Sequence, residues 1–110
     1  MIDSRYVLRP RAEQDSDAQA YYYATVAGAE VGHRFLIAAH HTFTLLATHP
    51  NMGWQSRLEH AALHHLRVFR VKGSEKILIL YLPMDEGVEV LRVVHGSQDL
   101  QTLLRRQGLE

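Results

Sequence analysis

The chain contains no cysteine. That excludes a disulfide framework, a thiolate zinc site and a cysteine nucleophile, and it suits a reducing cytosol. No apolar run approaches the length that spans a bilayer. The first residues, MIDSRYVLRPR, hold no apolar stretch of the kind a secretory signal needs, so a cytoplasmic location is expected. Net charge is also lacking, with 12 Lys+Arg against 12 Asp+Glu and no bias between the two halves. A strongly basic nucleic-acid binder is disfavoured on that ground, and only a local patch could serve such a purpose. There is no Walker loop, no GxGxxG and no Ser-His-Asp arrangement; Gly28-x-x-x-Gly32 falls at a helix junction rather than in a phosphate loop. What is present is a globular composition, 46% hydrophobic and 22% charged over 110 residues, which fits one domain spanning 1–110.

Patterned segments alternate with sparse punctuation. Residues 4–9 read as a short strand with Tyr6 and Leu8 on one face, ended by Pro10, which suits a helix start. Residues 11–27 read as a helix, with Glu13, Asp15 and Asp17 near its positive end and Ala18, Tyr22 and Val26 on one stripe; Tyr22 is expected in the core. Gly28 stops it. A second helix covers 30–47, with Val31, Phe35, Ala38, Thr42 and Leu45 facing inward and Leu36, Ile37 and Leu46 beside them. Gly28-Ala29 makes the two helices antiparallel neighbours. Residues 54–65 read as loop or a helical turn, with Trp54 capping the sheet edge. Strands follow at 66–71, 76–83 and 88–95, joined by hairpin loops at 72–75 and 85–87. Ser97 caps a short last helix with Leu100, Leu103 and Leu104 inward. The order β-α-α-β-β-β-α predicts an α+β domain: an antiparallel sheet with a helical hairpin on one face and a short C-terminal helix. Where the first strand pairs is not legible from pattern.

The strand 76–83 is apolar on both faces and is therefore expected to be central. A helical hairpin covers only one face. Leu78, Leu80 and Leu82, with Leu100 and Leu104 of the last helix, are then candidates to line an apolar groove for a partner. The alternative is that the last helix and 54–65 close the core unaided. Eight histidines, including His60 and His64 at helical spacing and the doublets His40-His41 and His64-His65, invite a metal reading. No HExxH and no third ligand accompany them, so no metal or cofactor is expected. Tyr21-Tyr22-Tyr23 point about 100° apart on a helix and cannot form one stacking platform.

Several segments, in order, resemble the RelE/ParE superfamily of type II toxins: Tyr6-x-Leu8-x-Pro10-x-Ala12-x-x-Asp15, Arg34-Phe35, Leu46-Ala47-x-x-Pro50-x-x-Gly53, Leu66-Arg67-x-Phe69, the strand ending in Tyr81, and Val90-Leu91-Arg92-Val93-Val94-His95-Gly96-x-x-Asp99. The details are more similar to the ParE branch, the plasmid-stabilisation type. The resemblance implies a toxin neutralised by a cognate antitoxin in a hetero-oligomer, with DNA gyrase as target in the ParE branch and ribosome-bound mRNA in the RelE branch. It implies no direct DNA binding, since operator recognition would fall to the partner. A non-toxic, partner-binding relic is the third reading. Only for the nuclease alternative would catalytic residues be needed, and Arg67, Arg92 and His95 are the candidates: RNA cleavage needs acid–base groups and positive charge near the phosphate. Strand alternation opposes their cooperation, placing Arg92 with Val90 and Val94, and His95 with Leu91 and Val93, unless a bulge intervenes. The bland alternative pairs Arg92 with a carboxylate such as Asp99 and lets His95 bond a turn. The ending Gly96-Ser97-Gln98-Asp99 lacks the Arg often found there in the family, which weakens the nuclease reading.

Overall fold

The computed structural model describes residues 5–55 and 65–96. β1 (Arg5–Leu8) leads through Pro10 at the first turn into α1 (Pro10–Ala27). α2 (Ala29–Thr48) follows after a single residue, Gly28, whose φ of 105° is open to glycine and strained for other residues. β2 is two residues, Trp54–Gln55; β3 (Arg67–Val71), β4 (Ser74–Met84) and β5 (Gly87–His95) form the meander. The two loops are tighter than the sequence suggests, Lys72-Gly73 and Asp85-Glu86. The expected last helix and residues 56–64 lie outside the described residues.

The sheet runs β1-β5-β4-β3-β2. It is mixed rather than antiparallel: β1 lies parallel to β5, Arg5 opposite Gly87 through Leu8 opposite Val90. The helical hairpin leaves β1 at one end of the sheet and brings the chain back to the far end, so the first strand meets the last. β4 is central, as its two apolar faces require.

Both described helices pack on one face. Phe35, Ala39, Phe43 and Leu46 of α2 meet Ile77, Ile79 and Tyr81 of β4 and Val88, Val90 and Val93 of β5, with Tyr6 and Leu8 at the side. α1 turns inward with Ala12, Ser16 and Ala20, not with Ala18, Tyr22 and Val26; Tyr22 is 58% exposed and Val26 60%. Tyr23 goes inward instead, onto Phe35. The reason is distance. A Cβ on Gly32 of α2 would stand 2.5 Å from the Ala20 carbonyl oxygen, so the helices touch where side chains are smallest. On α2 the inward stripe is likewise displaced: Phe35, Thr42 and Leu46 are buried as expected, Ala39 and Phe43 join them, and Ile37 points out.

Candidate partner interface

α2 ends in the turn His49–Gly53, and two side chains of the sheet hold it. The Tyr81 hydroxyl donates to the Pro50 carbonyl (2.7 Å) and accepts from the Gly53 N–H (3.0 Å). Arg67, one of the nuclease candidates, sits beside Tyr81 in register and donates to the Gly53 carbonyl (2.6 Å) and the Asn51 carbonyl (3.3 Å). Burial raises the Tyr81 pKa above the ordinary 10.0; the Gly53 N–H and the Arg67 charge pull it back only in part. A hydroxyl held neutral in the fold supports stability fully below the unfolded value and loses that support as pH rises through the folded one. Tyr81→Phe is therefore expected to destabilise the chain by about 1–3 kcal/mol at neutral pH. The gap to wild type should shrink only above pH ~10, as urea unfolding at stepped pH would read out.

Arg92 is 5% exposed. Its Nε and Nη2 reach the Asp15 carboxylate of α1 at 2.6 and 3.1 Å, and Asp15 also accepts the Val93 N–H at 3.0 Å. The partner is thus Asp15; Asp99 lies outside the described residues. The geometry follows from the sheet. β1 covers β5 only as far as Val90, and the free edge beyond it is met by Asp15. A register shift between Leu80 and Tyr81 leaves Leu91 as the extra residue, so Val90 and Val93 both join the helix-side core while Leu91 and Val94 join the opposite face. The bulge precedes Arg92 and so does not bring it to His95: Arg92 pairs with Leu80 of the second face, His95 with Ile77 of the first. Arg67 and His95 flank β4 at Tyr81 and Ile77, about 13 Å apart along the strand. His95 is half-buried and lines a surface groove with Arg70 and Lys76. The three candidates are not gathered into one site.

The strand residues expected to line an apolar groove lie on the sheet face opposite the two helices. Leu80 is fully buried and Leu78 nearly so, in a cluster with Leu66, Val68, Leu91 and Val94; of the strand residues proposed for a partner only Leu82 is half-exposed. Leu100 and Leu104 lie outside the described residues, as do His60 and His64. Among the described residues no three His, Asp or Glu side chains converge as a metal would need, and no helix is long and apolar enough to cross a membrane. His40 takes a different role, bonding the Tyr6 hydroxyl through Nδ1 at 2.7 Å.

An open groove of about 640 Å³ lies elsewhere, between α2 and the β3–β4 turn. Tyr23, Val31, Phe35 and Ala38 form its floor; Arg34, Lys72, Glu75 and Lys76 stand around it. Thr42 fixes the turn against the helix by accepting the Lys72 N–H at 3.1 Å.

The family model for the ParE toxin of the type II toxin–antitoxin system, parDE, matches residues 6–100. The chain belongs to this family. Among solved structures, the chromosomal ParDE TA system from P. aeruginosa contains a chain that superposes with a TM-score of 0.68 at 15% identity, covering 84% of this chain and 96% of that one. At that identity the likeness is one of fold. No curated protein matches.

Within this ParE chain, sequence reasoning found Arg67 and Arg92 but missed the groups that hold them. Asp15 stood out only as a helix-start acid, and its role depends on a residue 77 positions away. The groove is hidden in the sequence because the apolar periodicity of α2 places Val31 and Ala38 in the core, whereas both are only half-buried. The available signal was a cation, Arg34, set in the apolar stripe of α2, together with Lys72 and Lys76 around Gly73.

Proposed function

We propose that this ParE-family toxin is held inactive by a cognate antitoxin and acts by inhibiting DNA gyrase in the cytoplasm. The observation that carries the choice of target is the engagement of the arginines. Arg92 is buried against Asp15 and Arg67 is spent on loop carbonyls, so neither guanidinium is presented to a scissile phosphate. The balanced charge supports the same reading, since a ribosomal RNA surface would favour a strongly basic face. Purified gyrase should lose supercoiling activity at micromolar toxin, and regain it when the antitoxin encoded by the neighbouring reading frame is added. Normal supercoiling would refute the target.

One observation favours ribosome-dependent mRNA cleavage as the second reading: His95 shares a groove with Arg70 and Lys76. New cuts in ribosome-bound mRNA, mapped by primer extension and lost in His95→Ala, would establish it. Harmless expression without antitoxin would instead mark a non-toxic relic.

A further inference from the structure

The groove between α2 and the β3–β4 turn carries a local charge excess in a chain whose charges otherwise balance. Arg34, Lys72 and Lys76 rim it against one carboxylate, Glu75. All three cations are exposed, and the ion pairs found among the described residues, Arg9–Glu89 and Arg92–Asp15, involve none of them. The Lys72 ammonium is instead parked over the Phe69 ring, 5.5 Å from its centroid. Beneath the rim the floor is apolar, and Val31, Phe35 and Ala38 follow one another along α2 at i, i+4 and i+7. That is the spacing against which a second helix seats its own apolar anchors.

We propose that this groove receives an acidic amphipathic segment of the antitoxin, its apolar residues on the floor and its carboxylates on the cation rim. The proposal rests on the reading of the chain as an antitoxin-controlled toxin and adds where and by what chemistry the antitoxin docks. Charge decides the occupant. An apolar floor offers nothing to a phosphate backbone, so a nucleic acid would use the rim alone. Outside the described residues the chain offers no run of acids: 1–4 holds the single carboxylate of Asp3, 56–64 balances Arg57 against Glu59, and 97–110 balances Arg105 and Arg106 against Asp99 and Glu110. The occupant therefore comes from another molecule.

The test is calorimetric titration of the full-length neighbouring-frame antitoxin into purified toxin. Lys72→Glu with Lys76→Glu is expected to weaken binding at least ~10-fold and to flatten its salt dependence. Val31→Glu should weaken it comparably without touching the rim. Arg11→Glu, on the exposed side of α1, should leave affinity unchanged. Thermal melts check each fold, and if the double reversal disturbs the hairpin, Arg34→Glu on α2 makes the same test. Failure of the wild-type toxin to bind would sink the antitoxin reading itself. Wild-type binding with groove variants within twofold would overturn the docking site alone. Binding of a short DNA duplex that these variants abolish would give the groove to nucleic acid and overturn the proposal.

Discussion

Replacing Asp15 by alanine is expected to destabilise the fold by about 3–5 kcal/mol, a large share of the 5–15 kcal/mol typical of a small domain. The carboxylate satisfies a buried guanidinium and the N–H of Val93 at once. Removing it leaves a charge with no counter-ion among the described residues at a position almost closed to water, with side-chain exposures of only 6% and 13% across the pair. The pair is not ideal as it stands, because among the described residues Nη1 of Arg92 has no hydrogen-bond partner. Replacing both members with apolar residues, Asp15→Leu with Arg92→Met, should accordingly be less damaging than either single change. A double-mutant cycle in urea would measure the coupling, and additive effects would show that the contact contributes little. The same numbers govern how activity data are read. A loss of toxicity in Arg92→Ala reports on folding unless the variant melts like wild type.

The second large effect is expected at Gly87. Its φ of 134° lies in territory other residues enter only under strain, and a Cβ there would fall 1.7 Å from the Arg5 carbonyl oxygen. Gly87→Ala must therefore displace β1, which pairs with the chain beginning at that residue. Backbone strain and the lost packing of Tyr6 and Leu8 together amount to about 3 kcal/mol or more. Hydrogen exchange would locate the damage: amides of residues 5–8 should lose protection while those of β3 and β4 keep theirs. Uniform loss of protection would mean the strand is no separable unit.

These two positions mark the boundary of what a single sequence discloses. The helical hairpin was legible because Pro10 and Gly28 punctuate it, and the meander because Gly73 and Gly87, each beside charged residues, break three apolar runs. Such signals are local. The parallel pairing of β1 with β5 and the reach of Asp15 to Arg92 join residues near opposite ends of the chain, and nothing adjacent to either residue encodes the distance. The helix faces were misread for another reason. Hydropathy pointed to Tyr22 and Val26, but the contact between α1 and α2 is set by size, through Ala20 and Gly32. Of the candidate site, the individual cations were legible, whereas their commitments to Asp15 and to the carbonyls of the His49–Gly53 turn were not.

The parallel strand pair also governs when the molecule can exist during its own synthesis. β1 leaves the ribosome early, and its partner follows roughly 80 residues later. At about 5–20 residues per second, the N-terminal strand waits several seconds without a sheet to join. Pairings this remote in sequence slow folding as well, because the chain entropy is lost before the contact forms. A nascent chain that has not yet reached residue 87 holds neither β1 in place nor Arg92 for Asp15. A chain cut short before residue 87 has an incomplete sheet, so such a product lacks the β1–β5 pairing of the folded domain.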